Sequence, residues 1–172
     1  MEISSAVQIV LGCGLFLLAL LSSNLLCLAI ARLRAPQRPV PSNPLDEESL
    51  PTVLVQLPLF NEGSMGERLL DAVAHLDWPR ERLLIQVLDD STDGSDELSR
   101  RAVDLHRRAG LRVELLHRRE RIGYKAGALA AGLRRSNAPY VAILDADFIP
   151  RPDFLRQLIP VLAANPRLAF AQ

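Results

Sequence analysis

The sequence predicts an α/β protein in which one transmembrane helix precedes a Rossmann-like domain built on a mostly parallel sheet. Three observations lead there. No charged residue stands between Ile3 and Ala31. From Thr52 onward, short apolar runs alternate with amphipathic stretches of helical period. The polar residues of that second region gather just after the apolar runs, where an open parallel sheet holds its ligands.

A helix needs roughly 20 apolar residues to cross a bilayer, and the charge-free stretch is long enough with some tilt. A cleaved signal peptide is the alternative. It would place Lys or Arg where Glu2 stands, and its apolar run would be about 7–15 residues. Asn24, Ser22 and Ser23 suit a helix that packs against further spans. Arg32, Arg34 and Arg38 follow at once, which places the downstream region in the cytosol. Residues 1–34 are therefore expected to anchor an integral membrane protein, in a bacterial inner membrane or, in a eukaryote, the Golgi. Over 35–51 come Pro36, Pro39, Pro41, Pro44 and Pro51, with Asp46, Glu47 and Glu48 between them. Proline at this density excludes helix and central strand and predicts an extended tether.

The domain over 52–172 then follows element by element. TVLVQLP (52–58) is a β-branched run and predicts a buried strand. Leu69, Val73 and Leu76 share one face of a helix over 65–76. LLIQVLD (83–89) is the second strand. A helix over 95–109 carries Leu98, Ala102, Leu105 and Ala109, and Gly110 stops it. LRVELLH (111–117) is the third strand, 124–135 a helix of small residues and YVAILD (140–145) the fourth strand. Residues 153–164 read as helix with Pro160 kinking or ending its first part, and LAFAQ (168–172) reads as a fifth strand. Such alternation means βαβ units with both sheet faces covered.

Composition removes several functions. Lys+Arg and Asp+Glu are equal at 20 each, and the arginines are dispersed, which argues against a nucleic-acid partner. Cys13 and Cys27 both lie in the apolar segment, so the rest of the chain has neither a disulfide framework nor a zinc cluster. His75, His106 and His117 are scattered and read as packing or surface residues. Trp78 reads as a packing anchor. Neither a Walker loop nor a GxGxxG turn is present.

The strand-end clusters carry the chemistry. Asp145 and Asp147, one small residue apart at a strand exit, can share Mg²⁺ or Mn²⁺, which would hold a diphosphate. Alone, such a triplet is equally a solvated turn. Asp89 and Asp90 repeat the arrangement one strand away. There the alternative is helix capping, and both hold if Asp93 or Ser95 caps while Asp89 or Asp90 faces a ligand. Lys125 opens a Gly-flanked helix whose backbone amides favour anions, although an exposed surface lysine would look the same.

Together these clusters have the order VQLPLFNE, HLDWPRERLLIQVLDDSTDGS, RIGYKAGALAAGL and YVAILDADFIPRPDFL. That order resembles the processive family 2 glycosyltransferases, most of all the glucomannan and mannan synthase-like branch related to cellulose synthases. The resemblance covers about residues 51–172. It implies a GT-A fold that binds a nucleotide sugar with Mg²⁺ or Mn²⁺. Phe60, Glu62, Asp89 and Asp90 would hold base and ribose, and Lys125 the diphosphate side. Asp145 and Asp147 match the family's DxD, bridging sugar or ribose to the metal. A hexose from GDP-mannose or UDP-glucose would pass in line, with inversion, to a growing β-glycan or a lipid acceptor. The family's TED-like base motif and its Q/RxxRW are absent from the sequence. The resemblance therefore implies an N-terminal fragment with little transferase activity of its own. The alternatives are a non-catalytic nucleotide-sugar-binding module and a doubly wound domain of other function.

Overall fold

The computed structural model describes residues 2–34 and 46–171. Residues 35–45 of the predicted tether and the last residue of the predicted fifth strand, Gln172, lie outside the described residues. The chain divides into two compact units, one N-terminal and one C-terminal to residues 39–40.

The first unit is α1 (Glu2–Arg34). Its part Val7–Arg34 is long and apolar enough to cross a membrane, by length and composition. Its leucines stand exposed along the helix, and Arg32 and Arg34 close its last turn, where cations favour the helix dipole.

In the second unit follow β1 (Val53–Leu59), α2 (Met65–Ala74), β2 (Leu83–Asp89), α3 (Asp96–Arg108), β3 (Arg112–His117), α4 (Tyr124–Leu133), β4 (Tyr140–Ile143) and α5 (Phe154–Ala164). Among the described residues the four strands form one sheet in the order β3-β2-β1-β4, every pair parallel. β2 and then β3 wind outward from β1, and β4 lies on its other side. The strand order therefore reverses between β1 and β4, and that is where such a sheet opens its crevice. β1 and β2 are almost wholly buried, as strands covered on both faces must be.

One face of the sheet packs on α2 and α3 through Leu69, Leu70, Val73, Ala102 and Val103. The other face carries a polar rung, because the register sets Gln56 beside Gln86 and Gln86 beside Glu114. Gln56 Nε2 donates to Gln86 Oε1 (3.0 Å) and to the Leu129 carbonyl (3.2 Å). Gln86 Nε2 donates to the Gly132 carbonyl (3.1 Å). These bonds satisfy two buried amides and seat α4 on the strands. A methyl group at Gly132 would stand 2.5 Å from Gln86 Oε1 and 2.6 Å from Gln56 Nε2. Gly132→Ala is therefore expected to destabilise the domain by about 1–3 kcal/mol, read as a lower thermal midpoint by circular dichroism. A midpoint unchanged within error would mean that α4 does not sit this close.

Four expectations need correction. Residues 46–51 are not extended tether: they contain a short 3-10 turn (Glu47–Ser49), and Leu50 enters the core. Trp78 Nε1 donates to the Pro51 carbonyl (3.2 Å), and Arg82 binds the carbonyls of Glu47, Glu48 and Leu50. The buried face of α3 is Ser99, Ala102, Val103 and His106, while Leu105 points to solvent. His106 Nε2 lies 2.7 Å from Asp71 Oδ1 on α2, and this contact helps turn the helix away from the leucine face. Pro160 does not end α5, because Leu155, Ile159 and Pro160 bury together and hold the helix through the missing bond. Residues 168–171 form no strand; they have no ladder partner, and Phe170 is exposed.

Candidate functional site

At the C-terminal ends of β1, β2 and β4 the chain encloses a cavity of about 480 Å³. Its walls hold Phe60 and Glu62 after β1, Asp90 after β2, Lys125 on the first turn of α4, and Asp145 and Asp147 after β4. Six of the seven site residues expected from the sequence thus face one space. The seventh, Asp89, does not line it. Its carboxyl is fully buried beneath the loop, where Oδ1 accepts the Ser91 amide (2.8 Å) and Oδ2 has no partner among the described residues.

The loops around the cavity hold one another in place. Asn61 has a left-handed backbone, which asparagine tolerates. Its amide donates to Ser91 Oγ (2.9 Å), and its side-chain Oδ1 accepts the Thr92 amide (2.9 Å). The β1 and β2 loops are joined by this exchange. Ser95 sits at the N-cap position of α3 without capping it. Its hydroxyl and amide both donate to Asp93 Oδ1, and these two bonds lower the Asp93 pKa.

The turn before α4 is tighter. Gly123 is left-handed (φ 73°), and so is Tyr124 (φ 50°). A Cβ on Gly127 would stand 2.0 Å from the Ile122 carbonyl oxygen, so only glycine lets this turn close. The turn aims Lys125 across the cavity, where its ammonium pairs with Asp145 Oδ1. Both side chains are half exposed, so the pair itself adds little stability.

Two residues of this loop that the sequence reading passed over complete the site. Arg118 donates through Nε to Asp90 Oδ1 (2.8 Å) and through Nη2 to Asp90 Oδ2 (2.5 Å). It also binds the carbonyls of Ile122 (3.2 Å) and Tyr124 (3.0 Å). Asp90 is nearly buried, and its hydrogen bond raises the Arg118 pKa further above an already high value. Arg121 lays its guanidinium over Phe60, with Cζ 3.3 Å from the ring centroid. Both arginines sit in a charged run, RRERIGYK, that has the look of solvated surface. The one signal in the sequence was its place between a strand end and a Gly-flanked helix start.

Among the described residues no three His, Cys, Asp or Glu side chains gather as a metal cage. Two carboxylates beside a cavity, one of them already shared with a lysine, suit a different arrangement. Mg²⁺ and Mn²⁺ are commonly held by one or two carboxylates, with substrate phosphates and water completing the shell. The two carboxylates of Asp145 and Asp147 fit such a shared cation.

Comparison with known proteins agrees with this geometry. The family described as glycosyl transferase family 2 matches residues 55–172. Glucomannan 4-beta-mannosyltransferase 7 of Arabidopsis thaliana is 47% identical over 128 residues, covering 72% of this chain and 23% of that protein. The probable glucomannan 4-beta-mannosyltransferase 6 of Oryza sativa subsp. japonica is 46% identical over 128 residues, covering 72% and 22%. The chain thus spans less than a quarter of the length of these relatives. The mannosyltransferase PcManGT from Pyrobaculum calidifontis, solved in complex with GDP-Man and Mn²⁺, superposes with a TM-score of 0.70 at 34% identity. That match covers 87% of this chain and 42% of the other. S. aureus TarS 1-349 in complex with UDP-GlcNAc, at 20% identity and a TM-score of 0.52 over 66% of this chain and 31% of its own, shares the fold alone. With the family matched over most of its length and its parallel sheet superposed on a mannosyltransferase, the chain belongs to glycosyl transferase family 2 and has a GT-A-like fold.

Proposed function

We propose that this chain supplies the donor side of a membrane-bound, inverting hexosyltransferase that uses GDP-mannose to extend a β-glycan. One observation carries the reading. Phe60, Glu62, Asp90, Lys125, Asp145 and Asp147 line a single cavity at the point where the strand order reverses. The similarity to glucomannan mannosyltransferases and to a GDP-Man complex favours mannose over the glucose of UDP-glucose. A lipid acceptor would use the same donor site.

In this reading Phe60 offers its ring to the nucleobase and Glu62 accepts from the ribose. Lys125, at the N-terminus of α4, turns from Asp145 toward the diphosphate, where the backbone amides add to its charge. Asp145 and Asp147 hold Mg²⁺ or Mn²⁺. The cation, when bound, neutralises charge on the departing nucleoside diphosphate. The anomeric carbon then faces an acceptor hydroxyl for in-line displacement with no covalent intermediate: the C–O bond to the acceptor forms as the bond to the nucleoside diphosphate breaks, and the hydroxyl proton goes to a general base that is not among these site residues. The N-terminal helix spans a bilayer, and its terminal arginines keep the transferase domain on the cytosolic side.

Isothermal titration of GDP-mannose into the 172-residue chain in detergent tests this. Binding should be saturable with Mn²⁺ and at least about tenfold weaker after EDTA, a difference of about 1.4 kcal/mol. Binding that ignores EDTA, or no binding, would refute the reading.

A second reading is a module that binds nucleotide sugar without turning it over. Asp145 is held by Lys125 in this structure, so one of the two carboxylates is already partly engaged. Saturable binding with no sugar transfer to water or to added mannan oligosaccharide would favour it.

A further inference from the structure

We propose that Arg121 makes this site prefer guanine over uracil, an inference that rests on the nucleotide-sugar reading above. Two cations beside the cavity are already committed. Lys125 is paired with Asp145 on the β4 side. Arg118 is committed to Asp90 through two bonds and to two backbone carbonyls. Among the described residues Arg121 is the guanidinium that lines the cavity, and it is placed differently.

Its Cζ lies 3.3 Å from the Phe60 ring centroid and 5.3 Å from that of Tyr124. Its Nε is buried with no hydrogen-bond partner among the described residues. The nearest carboxylate oxygen, Asp90 Oδ2, is 3.9 Å away and already accepts from Arg118. With Nε shut off from the cavity, only the Nη groups of Arg121 can reach a ligand there. Arg121 also stands on the β1–β2 side of the cavity, across β1 from Asp145 and Asp147. With the diphosphate held near those aspartates, the base would extend toward Phe60 and Arg121.

The shape of the group then decides between bases. A guanidinium is a rigid planar fork that stacks on aromatic rings and donates two parallel bonds. Guanine presents two adjacent acceptors, O6 and N7, that match the fork bidentately. Uracil's two acceptors, O2 and O4, stand on either side of N3–H, so the base offers the fork no adjacent pair and can take only one of the two bonds. The Asp90 carboxylate, which retains unused lone pairs, faces the same space and suits the N–H groups beside O6.

The test compares GDP and UDP titrated into the full chain in detergent with saturating Mn²⁺, for the wild type, Arg121→Met and Arg121→Lys. The wild type should bind GDP more tightly than UDP. Arg121→Met should weaken GDP about tenfold or more and UDP less than about threefold, because only guanine loses a bidentate partner. Arg121→Lys keeps the charge without the fork and should not restore the preference. A thermal unfolding midpoint unchanged within error in each variant shows that the effect is not misfolding. Equal losses for GDP and UDP would make Arg121 a general anion partner and overturn the inference, as would a wild-type preference for UDP. A wild type that binds neither nucleotide would sink the donor-site reading itself, and the inference with it.

Discussion

Asp145→Asn is expected to weaken Mn²⁺-dependent binding of GDP-mannose by about 100-fold or more while the domain stays folded. The amide keeps the size of the carboxyl but removes the charge that holds a cation. It also releases Lys125, which would then meet the diphosphate without competition, so some metal-independent binding should persist. Asp145 is exposed, and its pair with Lys125 is half exposed, so unfolding should change by less than about 1 kcal/mol. Titration calorimetry with Mn²⁺ and with EDTA, beside a thermal melt, reads both effects. Unchanged Mn²⁺-dependent affinity would remove Asp145 from the site. A fall in stability large enough to unfold the domain would mean that the residue holds the fold rather than a ligand.

The second large effect should come from Asp90→Ala. The carboxylate is nearly buried and holds the Arg118 fork, with Arg121 Nε 3.9 Å away. Removing one partner of a buried pair typically costs about 3–5 kcal/mol, because the other charge is left without compensation. Arg118 retains some exposure, so the lower end, about 3 kcal/mol, is expected. Binding should fall as well, since Arg118 ties the carbonyls of Ile122 and Tyr124 and so shapes the turn that presents Lys125. The variant Asp90→Ala with Arg118→Met should recover part of the lost stability, because it removes the stranded charge. Urea unfolding of the two single variants and the double variant checks this cycle. Strict additivity would mean that the two residues do not act as a pair.

The parts of this protein that were legible in the sequence are those set by short-range rules. β2 falls on 83–89 as its apolar run predicts, and Gly110 ends α3 with a left-handed backbone. The charge-free run gave α1, because twenty or more apolar residues have few alternatives. What was not legible depends on partners distant in sequence. Leu105 belongs to the predicted face of α3, yet the pairing of His106 with Asp71, 35 residues earlier, sets the helix phase. The fifth strand failed because an apolar run makes a strand only where a ladder is available. Leu50 and Arg82 dock the end of the predicted tether onto the core, a contact that proline density cannot announce.

The candidate site divides in the same way. Asp145, Asp147 and Lys125 stand out because their residue types sit at strand ends and helix starts, where ligand chemistry is expected. Asp89 and Asp90 are adjacent and chemically identical, so only the fold separates the buried brace from the residue at the cavity wall. Arg118 and Arg121 acquire their roles from Asp90 and Phe60, which lie 28 and 61 positions before them. Composition carries no trace of such pairings.

The most direct test of the central claim is a crystal structure of this chain with GDP-mannose and Mn²⁺, with data recorded at the manganese absorption edge. The account predicts an anomalous peak between the Asp145 and Asp147 carboxylates, the diphosphate beside Lys125, and the guanine ring against Phe60 and Arg121. A nucleotide seated elsewhere, or manganese bound away from both aspartates, would contradict it.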